Sequence, residues 1–421
     1  MTIDDPSTAM LVAGLLLLLA VLAARLSERI QVPGLLLFLL VGMLAGNEGP
    51  GEIIFSSPAV AQAVGSAALA LILFSGGLDT RWSAIKPVLA PGLLLATVGV
   101  LITAGIVGSA AWFLLGSFTD FNLGTEGLTW PEAFLLGAIV SSTDVAALFG
   151  LFRGAGPPPR ERIRSLLELE SGTNDPAAII LTTVLLGLLT GSSSGAVDVV
   201  TDIATQVVLG VTFGIVLGTA GVWLANRLRL QSLGLFPLLV LAIGLVSFGM
   251  GELVGANAFL IVYIAGLVIG NSLQQHRELV LSTTDAFAWL AQIIMFLALG
   301  LLVVPSELVR LAPVAIVLAL ILMFLARPLS VFLCLAPFDF DHRSTSYVAW
   351  AGLKGAVPIV LATFPATAGM AGASSIFSIV FAVVVISVLA QGVTLPQVAK
   401  RLRVTETDGT PGSAVGGDPP S

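Results

Sequence analysis

The chain has 421 residues, 57% of them hydrophobic and only 10% charged, with a formal net charge of −7. A water-soluble domain carries about 25% charged residues, so lipid is the solvent for most of this surface. One cysteine, Cys334, excludes an internal disulfide and a thiolate metal cluster, and His276 and His342 lie far apart in polar stretches, which offers no zinc site.

The first ten residues carry Asp4 and Asp5 and no basic residue, the wrong sign for a cleavable signal. The apolar run that follows is read as the first membrane helix, with its amino end outside. Apolar runs between polar breaks predict thirteen spans, at 8–25, 33–46, 57–76, 87–116, 131–152, 165–190, 198–225, 233–254, 256–271, 283–304, 308–336, 345–366 and 374–396. With that orientation the cytoplasmic side receives Arg25, Arg29, Arg81, Lys86, Arg153, Arg160, Arg162, Arg164, Arg227, Arg229, Arg277, Arg343, Lys400, Arg401 and Arg403, which is 15 of the 18 basic residues. Only Arg310 falls outside, among Glu48, Glu52, Asp120, Glu126, Glu132 and Asp198. A wrong span count would scramble this asymmetry. Residues 404–421 are rich in Gly, Pro and Ser without an apolar period, and are expected to form a disordered cytoplasmic tail with no soluble domain appended. No phosphate-binding loop appears, so an ATP-driven pump has no support; no cofactor and no nucleic-acid partner are expected.

Five ionisable residues fall deep inside the spans: Asp144, Glu170, Asp175, Arg327 and Lys354. Each costs about 2.5–3.5 kcal/mol at a helix centre, so they must pair or line a wet cavity. At a rise of ~1.5 Å per residue, Asp144, Asp175, Arg327 and Lys354 come near one plane in mid-membrane, with Glu170 closer to the inner face. Three carboxylates and two cations, all ionised, leave one negative charge, which one monovalent cation or one proton neutralises. In span 5, Ser141-Ser142-Thr143-Asp144 suits an unwound backbone whose carbonyls are free. In span 6, Ser171 and Asp175 share a face, Glu170 and Asn174 the neighbouring one, and Pro176 deprives the Gly172 carbonyl of its helical donor. In span 12, residues 352–358 (GLKGAVP) also read as a broken helix. Spans 5 and 12 run in opposite directions, so spans 4–6 and 11–13 read as inverted repeats around a midplane transport site. An isolated intramembrane pair is as often structural as functional, and the structural reading is preferred for Arg327 with Glu170. Asp79, Glu168, Glu252 and Asp285 are read as interfacial.

The segments STDVAALF (142–149), ELESGTNDPAAIILT (168–182), ARPLSV (326–331), WAGLKGAVPIVLA (350–362) and VVISVLAQGVTL (384–395) resemble NhaP-type cation:proton antiporters. FSGGLDTRW (74–82) and AFAWLAQIIMFLALGLLV (286–303) point to the bacterial potassium/proton branch. The resemblance implies a transporter rather than an enzyme, an all-α integral membrane protein with about thirteen helices, inverted repeats and two broken crossing helices. It implies a homodimer whose six-helix ion-translocation core, here about 87–190 and 308–396 within a membrane domain of 1–403, moves like an elevator against a dimerisation scaffold. It assigns Asp175, with Asp144, to transport and proton coupling, and places Thr143, Asp144, Ser171, Asn174 and Asp175 around the cation, K⁺ or Na⁺. It pairs Glu170 with Arg327 as a structural salt bridge. Asn174 before Asp175 resembles the electroneutral exchangers, in agreement with the charge count. Lys354 departs from the arginine usual in the family; it either titrates and alters coupling, or serves as a cation stabilising Asp144 or helix-end carbonyls, and the second reading is preferred. Members of this branch often carry cytosolic regulatory domains, where this chain has only the tail. The rival readings are a cation channel, which would need a continuous pore and filter, a sodium-coupled organic-anion symporter, and a non-transporting scaffold.

Overall fold

A backbone in hydrocarbon must satisfy its own N–H and C=O groups, and this chain does so as α-helix. The computed structural model describes residues 6–30, 33–53, 55, 57–116, 127–145, 148, 157–191, 195–228, 232–273 and 276–406. Asp120, Glu126, Arg153, Arg229, residues 146, 147 and 149–152 of the fifth span, the side chain of Arg29 and the tail from 407 lie outside them. The described helices are α1 (Pro6–Ile30), α2 (Gly34–Ala45), α3 (Pro58–Asp79), α4 (Trp82–Leu115), α5 (Trp130–Ile139), α6 (Glu161–Thr190) and α7 (Ala196–Arg227). They continue with α8 (Leu235–Leu253), α9 (Ala258–Ser272), α10 (Arg277–Leu301), α11 (Pro305–Leu335), α12 (His342–Trp350), α13 (Ala356–Thr367) and α14 (Ala373–Leu402). Among the described residues nine helices are long and apolar enough to cross a membrane, and the only extended pairing is an isolated bridge between Pro159 and Thr405.

Every expected span overlaps one of these helices, or a pair of half-helices, with two kinds of correction. Several bounds move outward: α4 begins at Trp82 instead of 87, α6 at Glu161 instead of 165, and α14 runs to Leu402 through Pro396 instead of stopping there. Apolar runs report hydrocarbon thickness, whereas a helix continues into the polar interface while residues such as Glu, Arg and Lys favour it. The expected disordered tail also begins too early. Residues 404–406 are ordered, with the Arg160 amide donating to the Val404 carbonyl (2.9 Å) and the Glu406 amide to the Pro158 carbonyl (3.1 Å).

The helices pack as two groups. In one, α3 contacts α9 and α10, with α2, α7 and α8 around them and α1 at the edge. The α3–α9 contact is close because Gly77 lies against the Tyr263 carbonyl and Gly270 against that of Leu78; a Cβ at either would come within 2.3 Å or 2.1 Å of the oxygen. The other group contains α4, α5 and α6 and, in the second repeat, α11 to α14. The leading helix of each repeat contains a π turn, Leu95–Gly99 in α4 and Leu322–Ala326 in α11. Such turns absorb an extra residue and redirect the side chains that follow; the second delivers Arg327 into the interior.

Candidate functional site

The fifth and twelfth spans break at matching places. α5 opens with a capping box, Thr129 and Glu132, and ends at Ile139, after which Ser142–Asp144 are non-helical. α12 ends at Trp350, and the chain is non-helical over Gly352–Gly355 before α13. The two unwound stretches meet: the Asp144 amide donates to the Leu353 carbonyl at 2.8 Å. Gly355 makes the crossing possible, because a Cβ there would sit 2.1 Å from Asp144 Oδ2.

A half-helix that ends inside lipid leaves carbonyls without donors and a partial negative charge. Lys354, 1% exposed, answers both at α5: its Nζ donates to the Ser141 carbonyl (3.0 Å) and the Ser142 carbonyl (2.9 Å). These helix-end carbonyls are one of the two partners that the sequence offered for Lys354. At α12 the donor is Gln391 of α14, whose Nε2 reaches the Trp350 carbonyl (2.9 Å); its Oε1 accepts from Ser387, whose Oγ in turn accepts from the Lys354 amide (3.3 Å). Sequence reasoning missed Ser387 and Gln391. The signal was a buried Gln one turn after a buried Ser on an otherwise apolar helix.

The middle of α6 faces this crossing. Asn174 Nδ2 donates to Thr143 Oγ1 at 2.6 Å. The Ser171 hydroxyl donates to the Thr143 carbonyl (3.0 Å) and accepts from the Val145 amide (3.2 Å). Asn174 and Ser171 thus supply the partners that the unwound residues of span 5 lost. Asp175 stands beside them, 7% exposed. The Ser142 hydroxyl and Lys354 lie near it, and Asp144 is the like charge within electrostatic reach. Asp175 Oδ1 and Ser142 Oγ are both buried without a hydrogen-bond partner. An acceptor oxygen left open in the interior is a place for a proton or a cation.

Glu170 and Arg327 form a two-pronged buried ion pair, Nη1 to Oε1 and Nη2 to Oε2, the second at 2.9 Å. Arg327 also donates to the Val348 carbonyl of α12 (3.4 Å), and Gly352 leaves room for its side chain, since a Cβ there would come within 2.5 Å of Nε. On the other side of α6, Tyr263 of α9 lies against Gly172, where a Cβ would meet its hydroxyl oxygen at 2.6 Å. That hydroxyl is buried and unpartnered, and sequence reasoning passed over it. Thr143, Asp144, Ser171, Asn174, Asp175 and Lys354 therefore converge on one crossing, with Glu170–Arg327 on its flank. Among the described residues no cluster of three or more His, Cys, Asp or Glu side chains could hold a metal ion.

The chain matches the description "Sodium/hydrogen exchanger, transmembrane" over residues 14–401. It is 40% identical over 395 residues to the K(+)/H(+) antiporter NhaP of Alkalimonas amylolytica, covering 94% of this chain and 67% of that protein. It is 40% identical over 409 residues to the K(+)/H(+) antiporter NhaP2 of Shewanella oneidensis, covering 96% of this chain and 68% of that one. Its fold superposes on the sodium proton antiporter MjNhaP1 of Methanocaldococcus jannaschii with a TM-score of 0.80 at 26% identity, covering 94% of this chain and 99% of that one. The chain is a multi-pass membrane transporter of the sodium/hydrogen exchanger family.

Proposed function

We propose that this chain exchanges K⁺ or Na⁺ for H⁺ by alternating access, with cation and proton competing for Asp175. The observation that carries the reading is the open Oδ1 of Asp175, buried beside the crossing of two unwound segments. Glu170 and Arg327 cancel one another. Lys354 offsets one of the two remaining carboxylates, so Asp144 and Asp175 together keep one negative charge, and one monovalent ion or one proton satisfies it. That balance supports one-for-one, electroneutral exchange. Thr143, Ser171 and Asn174 hold the unwound backbone and, when their mutual bonds open, offer oxygens to the ion.

The two groups of packed helices support an ion-translocation core of about 87–190 and 308–396 that moves against the remaining helices, within a homodimer. The basic-residue asymmetry supports an amino end outside and a cytoplasmic carboxyl end in a cell membrane. K⁺ is the first cation to test, because the relatives at 40% identity are named for it.

The test is recovery of a pH-sensitive dye in proteoliposomes after adding K⁺ or Na⁺ separately. Cation-driven proton efflux in the wild type, lost in Asp175→Ala, is the expected outcome; equal rates in both proteins would refute the assignment. Because protonation blocks the cation, exchange should fall toward acid and rise with pH until protons become scarce. A rate flat from about pH 6 to 9 would sink the competition scheme.

A further inference from the structure

Where α6 and α12 begin, a cleft of about 720 Å³ is lined by Arg160, Asp341, His342, Arg343 and Arg403. Its three guanidiniums come from three distant parts of the chain: the residue before α6, the first turn of α12, and the residue after α14. None of them faces a carboxylate across a salt bridge among the described residues. Arg160 is anchored by its amide and by Nη2, which donates to the Arg403 carbonyl at 3.0 Å, while its Nε is buried with no partner. Asp341 is the one carboxylate of the lining, and it is already engaged: it accepts from the Ser344 hydroxyl at 2.5 Å and the Ser344 amide at 3.3 Å. Those hydrogen bonds hold its carboxyl below the usual range, so it stays ionised but serves its own helix. The lining keeps an excess of two positive charges. α6, thirty residues long, starts here with no side-chain cap, so the partial positive charge of its start adds to the field.

We propose that this cleft binds a phosphate group, carried by an anionic lipid headgroup or by a free phosphate. Planar guanidinium forks and an uncapped helix start are donors that match several oxygens of one anion. A carboxylate has two oxygens and chloride has one centre, fewer acceptors than three guanidiniums offer donors. A phosphate there joins the start of α6, which carries Asp175, to the start of α12, which leads into the Lys354 break, and to the end of α14. Occupancy therefore ties helix ends of the two repeats to one another. The site is independent of the exchange reading.

The experiment uses the full chain and reads binding directly. Inorganic phosphate and pyrophosphate are titrated calorimetrically against the protein in detergent. In parallel, nanodiscs of phosphatidylcholine with and without phosphatidylglycerol are compared by native mass spectrometry for lipid retained on the protein. Arg343→Gln and Arg403→Gln should each weaken the binding about tenfold, whichever probe binds. Arg401→Gln, the same charge change on α14 outside the cleft, should leave it unchanged, and melting temperatures show that each variant folds. Saturable binding of the free anions assigns a soluble phosphate; retention of phosphatidylglycerol alone assigns the lipid. Absence of both, or an equal effect from Arg401→Gln, overturns the proposal.

Discussion

Lys354 shows why a charge in hydrocarbon need not be a ligand. Its ammonium takes two carbonyls that a broken helix has released, so its cost of burial is offset by theirs. Lys354→Met should strip both donors, costing about 1–3 kcal/mol per orphaned carbonyl. The expected result is a lower melting temperature together with loss of exchange. The Glu170–Arg327 pair obeys a different rule. Removing one partner strands a buried charge and should cost about 3–5 kcal/mol, whereas replacing both with apolar residues of similar size removes the penalty. Glu170→Leu should therefore melt well below the wild type, and Glu170→Leu with Arg327→Met should recover much of the loss, which melting curves of the three proteins would check. The identities of these residues were legible in the sequence, because charges in apolar runs are conspicuous. Their partners were not. Whether Lys354 meets Asp144 or a carbonyl depends on where the helix ends, and sequence pattern locates such ends only to within a few residues. Ser387, Gln391 and Tyr263 escaped because an uncharged polar side chain in a membrane helix is unremarkable until its neighbours are known.

At the scale of the element, breaks are useful only if something closes them. Glu48, in the loop after α2, supplies one closure at a helix start, accepting from the Ser306 amide (2.9 Å) and hydroxyl (2.7 Å) at the head of α11. These bonds, the amide first, hold the Glu48 carboxyl below its ordinary value. A lowered folded-state value means that the contribution is full above the unfolded pKa and disappears as pH falls through the folded one. Thermal unfolding of wild type and Glu48→Gln should thus differ most near neutral pH and converge in acid. Close approaches set a second limit on the elements. Gly172→Ala would drive a methyl to 2.5 Å from the Tyr263 ring. It should slow exchange more than Gly172→Ala with Tyr263→Leu, which restores the space; equal rates in the two variants would show that the contact is not restrictive. The inverted repeat was legible in the Gly, Pro and hydroxyl residues of the two breaks. The π turns of α4 and α11 were not, since one extra residue per turn leaves no mark on hydrophobic periodicity.

For the whole molecule, composition specified a protein in lipid, because 10% charged residues cannot cover a water-soluble surface of this length, and the apolar runs specified many helical spans. Composition is silent on how the carboxyl end is held. That end is tied down by the pairing of 404–406 with 158–160. Ending the chain after Arg403 instead of after Glu406 removes three backbone hydrogen bonds, two of them to 158–160, and should lower the melting temperature; limited proteolysis near Arg160 would report the same loosening.

The tie between Arg160 and Arg403 spans 243 positions of sequence. During synthesis the Arg160 side of it emerges early and then waits while every helix from α6 to α14 enters the bilayer. Closing so long a loop is entropically costly until the intervening helices have packed and brought its ends together. The clip is thus a late event in assembly, and its closure marks a chain whose α14 has arrived at its place beside the first repeat.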